Sequence, residues 1–154
     1  MTFLKRLWHG RVPTPPAVSV CRGEAWLGKE AYDRAIAAFT AAIRLDPGNV
    51  AAFRDRGLAY EEQGKYDEAI ADYTQAIRLD PHSADAYFRR GNAHFARDDF
   101  DRAIADYGRA IALDPALALA YYHRGLAYTE QGHEARGKAD RERAVKLDPA
   151  LRGL

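Results

Sequence analysis

The residues best suited to chemistry in this chain are four arginines, Arg22, Arg56, Arg90 and Arg124, set at an unbroken step of 34 residues. A guanidinium presents a planar fork of donors, so a ladder of them suits a carboxylate or phosphate ligand. Asp72, Asp106 and Asp140 keep the same step, which offers the alternative that each arginine buttresses an aspartate. Arg22 lacks that partner, because Ala38 stands at the matching place. Five histidines are present, His9, His82, His94, His123 and His133, and none form an i, i+4 pair around a glutamate, so no helical zinc motif occurs. His94 lies at the step from Tyr60 and Tyr128, which makes it a packed core histidine or, alternatively, a ligand. His123 falls on an exposed-looking stripe, which makes it a lone surface histidine or, alternatively, a functional titrating group. No phosphate loop and no nucleophile elbow are found. The single cysteine, Cys21, excludes an intrachain disulfide and a cysteine-rich metal cluster. No catalytic residue, metal or cofactor is therefore expected, and the chain reads as a non-enzyme.

The elements that position these residues follow from the same step. Pro47, Pro81, Pro115 and Pro149 close the phrases AIRLDP, AIRLDP, AIALDP and AVKLDP, and Gly23, Gly57, Gly91 and Gly125 repeat in phase. A fixed period of this length means stacked supersecondary units. In residues 50–83, Phe53, Gly57 and Tyr60 fall on one helical stripe, and Gly64 offers a left-handed stop. A second stripe runs through Tyr66, Ala69, Ile70, Tyr73, Ala76 and Ile77. Asp80-Pro81 then prevents continuation. Each unit is thus helix, tight turn, helix, short loop. Gly57 and Ala69 permit close approach of the two helices, while Tyr60 and Tyr73 fill wider gaps. The expected fold class is all-α, with an N-terminal arm at 1–15 and units at 16–49, 50–83, 84–117 and 118–151.

This pattern resembles the tetratricopeptide repeat family, which has a large residue at position 4 of the unit, Gly at 8, Tyr at 11, Ala at 20, an aromatic at 24, Ala at 27 and Pro at 32. The second unit matches with Phe53, Gly57, Tyr60, Ala69, Tyr73, Ala76 and Pro81. The third carries Tyr87, Gly91, His94, Ala103, Tyr107, Ala110 and Pro115. The first departs at Ser19, and its Gly23, Trp26, Ala35, Phe39, Ala42 and Pro47 match or stand in. The fourth keeps Tyr121, Gly125 and Tyr128 but has Gly137 and Arg141 where alanine and an aromatic are expected. Its second helix presents Glu134, Gly137, Lys138, Arg141, Ala144 and Val145, and reads as a polar cap. The resemblance implies an α-solenoid of antiparallel helix pairs, a right-handed superhelix, in which Gly57, Ala69, Tyr73, Pro81, Gly91, Ala103, Tyr107 and Pro115 are structural.

The resemblance also implies a concave groove lined by the first helices, with a protein or peptide as partner. Carried over by position, the groove comprises Arg54, Leu58, Glu61, Phe88, Arg89, Asn92, Phe95, Leu119, Tyr122, His123 and Leu126. Exposed apolar stripes of this kind mark binding surfaces, or alternatively pack against the neighbouring helix. Phe88 and Tyr122, both at position 5, are expected side by side as anchors outside the core. A family subtype clamps a C-terminal carboxylate, yet Val20, Glu24, Asp55 and Asp85 occupy its positions and only Arg89 matches. A chaperone-tail clamp is therefore rejected, and Glu61 with Glu62 favours a partner with some basic character. Self-association into homo-oligomers is the alternative function.

Bulk properties agree. With 23 basic and 22 acidic residues, the net charge of +1 supplies no field for nucleic acid or an anionic membrane. No apolar run approaches the roughly 18 residues of a membrane span. The first residues, MTFLKRLWHGRVPTP, begin like a signal peptide but are broken by His9, Arg11 and prolines. A cytoplasmic location is expected, with periplasmic or secreted as the alternative.

Overall fold

The computed structural model describes residues 29–153. The N-terminal arm, and the first-unit residues Ser19, Arg22, Gly23 and Trp26, lie outside the described residues. Seven α-helices follow one another: α1 (Lys29–Leu45), α2 (Val50–Glu62), α3 (Tyr66–Leu79), α4 (Ala84–Phe95), α5 (Phe100–Leu113), α6 (Ala118–Glu130) and α7 (Glu134–Leu147). A short 3-10 turn, Pro149–Gly153, ends the described chain. No strand occurs among the described residues, and none of their helices is long and apolar enough to cross a membrane.

The helix ends are set by local chemistry. Asn49 accepts a hydrogen bond from Ala52 N at 2.9 Å and Ser83 from Ala86 N at 3.2 Å, capping α2 and α4. The aspartate before each proline folds its carboxylate onto the backbone two residues ahead: Asp46 to Gly48 N, Asp80 to His82 N, Asp114 to Ala116 N and Asp148 to Ala150 N. These carboxylates are thus turn-makers. Between paired helices, Gly64 and Gly132 adopt φ of 71° and 79°, and Asp98 takes the same place with φ of 59°, a conformation that costs a side chain about 1–2 kcal/mol.

Each helix packs chiefly on its predecessor and successor. The interfaces are built of alanine. Ala52, Ala59, Ala69, Ala76, Ala86, Ala93, Ala103, Ala110, Ala120, Ala127 and Ala144 are all buried. One large ring fills the remaining space in each of the first three units: Phe39, Tyr73 and Tyr107 are the largest fully buried side chains among the described residues. A Cβ on Gly57 would lie 2.8 Å from the Tyr73 ring, and one on Gly91 2.7 Å from the Tyr107 ring, so these glycines exist to admit the tyrosines. In the last pair no aromatic intervenes. A Cβ on Gly125 would meet the Gly137 carbonyl at 2.8 Å, so backbone lies against backbone there.

Neighbouring units are also tied by polar side chains. Gln63 donates to Asp33 at 2.8 Å, Gln131 donates to Asp101 at 2.7 Å, and Arg97 pairs with Asp67. Asp67 and Asp101 lie in the first turns of α3 and α5, and Asp33 one turn into α1; each links its helix to the end of the next first helix. The first helices α2, α4 and α6 touch one another in turn, and form one continuous face.

Candidate functional site

Arg56, Arg90 and Arg124 of the arginine ladder are each engaged in structural forks, and Arg22 lies outside the described residues. Arg56 forks onto Asp72 with two hydrogen bonds of 2.7 Å, Arg90 onto Asp106 at 2.8 and 2.7 Å, and Arg124 onto Asp140 at 2.7 and 2.9 Å. All three aspartates are buried, and the hydrogen bonds hold each arginine above its ordinary pKa against the opposing effect of burial. Two arginines reach a third helix: Arg56 donates to Thr40 at 3.0 Å and Arg90 to Thr74 at 3.1 Å. Gly108 occupies the equivalent place beside Arg124, and a Cβ there would be 3.7 Å from the guanidinium.

The face of α2, α4 and α6 carries the residues expected to line a groove. Leu58, Phe88, Arg89, Asn92, Phe95, Tyr122, His123 and Leu126 are half-buried, while Leu119 is 42% exposed. Two members serve the buried tyrosines. Glu61 accepts the Tyr73 hydroxyl at 2.6 Å, and Asn92 accepts the Tyr107 hydroxyl at 2.9 Å. Burial first, and the Glu61 charge second, raise both phenol pKa values far above normal. Arg54 pairs with its neighbour Asp55 at 2.9 Å. Arg89 pairs with Asp85 at 3.0 Å. Burial opposes the Arg89 charge, but Asp85, Tyr73 and Glu61 outweigh it and raise its pKa. The one residue matching a carboxylate clamp is therefore already neutralised.

Rings gather where α4, α5 and α6 meet. Phe88 lies 5.9 Å from Tyr107 and 5.5 Å from His123, and Tyr122 lies 5.8 Å from His123. Phe88 packs on the buried cluster of Ala103, Tyr107 and Ala127, which corrects the expectation that it stands outside the core. His123 is likewise enclosed rather than surface-exposed, and burial lowers its pKa. Phe95 meets Phe100 edge-on at 5.3 Å. His94 is buried as a core residue, 3.8 Å from Asp99 and 3.9 Å from Asp106. Burial lowers its pKa and the two carboxylates only partly offset this. Among the described residues no group of three or more histidines, cysteines and carboxylates could hold a metal ion.

Sequence reasoning missed the alanines at the third and tenth places of each unit, Ala52, Ala59, Ala86, Ala93, Ala120 and Ala127. They keep the 34-residue step, and that was the available signal.

Comparison with known families gives matches to "TPR repeat" at residues 27–64, 59–98 and 91–132, and to "Tetratricopeptide repeat" at 118–151. Among solved structures, a crystal structure of MamA is 34% identical, with a TM-score of 0.75 over 79% of this chain and 71% of that one. The first TPR of Spaghetti (RPAP3), bound to HSP90 peptide SRMEEVD, is 34% identical, with a TM-score of 0.65 over 68% of this chain and 82% of that one. The second TPR of the same protein, with the same peptide, is 31% identical, with a TM-score of 0.63 over 64% of this chain and 92% of that one. No curated protein matches.

Proposed function

The chain belongs to the tetratricopeptide repeat family, and from that premise we propose that it is a non-catalytic protein–protein interaction module whose α2, α4 and α6 face holds a segment of a partner. The observation that carries this is the line of apolar side chains left half-exposed along that face, Leu58, Phe88, Tyr122 and Leu126. Such a stripe on adjoining helices marks a contact surface. The similar RPAP3 domains, solved with a bound peptide, support the same use of the fold. Their acidic peptide is not the model for this chain, because Asp85 already occupies Arg89 and Glu62 adds exposed negative charge. A partner with apolar anchors and a basic flank near α2 fits best.

The test is affinity capture with wild type and with Leu58→Glu combined with Phe88→Leu, a change that keeps an apolar contact on Tyr107. Partner recovery is expected to fall roughly tenfold or more, with an unchanged melting temperature. Equal recovery would refute the groove. A light-scattering concentration series of the chain alone addresses the self-association alternative, which predicts a rise in mass without any partner.

A further inference from the structure

At each internal step, the second helix of one unit offers a seat that the next first helix fills. Ile70 and Tyr73 of α3 pack with Ala93 of α4 in one cluster, and Ile77 with Ala86 and Tyr87 in another. Tyr107 and Ile104 of α5 receive Ala127 of α6 in the same way. On α7 the corresponding positions hold Lys138, Arg141 and Val145, and there the seat is an open cavity of about 510 Å³. Its floor is apolar, formed by Tyr122, Leu126, Val145 and Leu151. Leu151 is buried because the 3-10 turn folds back against α7.

The rim is cationic. Lys138, Arg141, Lys146 and Arg152 line it against a single carboxylate, Glu142. Among the described residues none of these four cations is in an ion pair, whereas Arg56, Arg90 and Arg124 are each locked to an aspartate. A seat that merely faced water would need no apolar floor. A seat for another unit of the same kind would carry Ile and Tyr in place of Lys138 and Arg141. The shape is that of a helix-receiving site, and the charge selects an anionic helix.

We propose that the α7 end of the array docks an acidic amphipathic helix of a partner protein, with its small and aliphatic side chains on Tyr122, Leu126 and Val145 and its carboxylates on the cationic rim. This surface shares Tyr122 and Leu126 with the α6 end of the central groove, while Val145, Leu151 and the cationic rim lie beyond that groove.

The probes are two fluorescein-labelled amphipathic helical peptides with leucine and alanine on one face. One carries glutamate on the flanks of that face and the other lysine. By fluorescence anisotropy the acidic peptide should bind roughly tenfold or more tightly than the basic one, and should weaken as salt is raised. Lys138→Glu with Lys146→Glu changes two exposed side chains and should reverse that preference. The groove variant Leu58→Glu, Phe88→Leu alters no residue lining this seat and should bind the acidic peptide as wild type does, so a failure here is distinguishable from a failure of the groove. Equal binding of both peptides, no binding of either, or an unchanged preference in the charge-reversed variant would overturn the proposal. So would a concentration-dependent dimer of the chain alone that the acidic peptide fails to dissociate, since a second copy would then fill the seat. If the charge-reversed variant melts early, the salt dependence of the wild type decides.

Discussion

Gly91→Ala isolates the fit of helix pair to ring. An ordinary carbon–carbon contact is about 3.5–4.0 Å, and the new Cβ would lie 2.7, 2.9 and 3.3 Å from three atoms of the Tyr107 ring. The ring has little room to retreat. Tyr107 is wholly buried, its centroid is 5.9 Å from both Phe88 and His123, and its hydroxyl is tied to Asn92. Overpacking of this kind costs about 1–3 kcal/mol. Alanine returns about 1 kcal/mol through helix propensity. The net expectation is a loss of up to about 2 kcal/mol, read from urea unfolding followed by circular dichroism. Tyr107→Ala should itself cost about 3–5 kcal/mol. Once the ring is gone, Gly91→Ala should become stabilising by about 1 kcal/mol. The difference between the two backgrounds is the signature, a coupling of roughly 1–3 kcal/mol in a double-mutant cycle. If Gly91→Ala has the same effect in both backgrounds, whether stabilising or harmful, the glycine is not there to admit the tyrosine.

Asp106→Ala strands a partly buried guanidinium and should lower stability by roughly 2–3 kcal/mol, whereas Arg90→Met with Asp106→Leu should recover most of it in the same urea assay. Gly108→Thr should stabilise by about 1 kcal/mol, through helix propensity and a new bond from Arg124; Gly108→Ala clearly exceeding it in thermal melts would deny the bond. Stability should fall with acidity through the histidines. Burial lowers the pKa of His94 and His123 in the folded chain, so the unfolded chain binds more protons below about pH 6.5. Their contribution is intact above about pH 7 and lost as pH falls through 6.5. His94→Tyr with His123→Phe should flatten the difference between urea midpoints at about pH 7.5 and 5.5.

The helix pairs were legible because the step that repeats Gly57, Tyr73 and Pro81 also repeats the contacts those residues make. The arginine–aspartate forks were legible for the same reason, since two residue types in phase imply one geometry. The deeply buried alanines were harder to see. Their small apolar volume gives a weak periodic signal beside Phe53 and Tyr60, which are larger yet only half-buried. Glu61 and Asn92 could not be read as partners of tyrosine hydroxyls, because they sit at different places in their units and each bond joins two helices. His123 read as exposed because its stripe was judged alone, while its burial comes from Phe88 on another helix. The turn at Leu151 follows no repeat at all, and only packing against α7 identifies it.

The three-way grip of the arginines bears on how the array carries load. Arg56 joins α1, α2 and α3, and Arg90 joins α3, α4 and α5, each as a stitch across a seam. At the seam between α5 and α6 the stitch is short of one thread, since Gly108 offers no hydroxyl to Arg124. Under tension applied to its ends the array should part there first, shedding α6 and α7 as a unit while the earlier seams hold. A single-molecule stretching trace should show this as a low-force first step, and Gly108→Thr should raise that step toward the others. The Thr-to-Gly exchange at one seam thus makes a uniform-looking rod into one with a designated breaking point, next to the open cationic seat at its end.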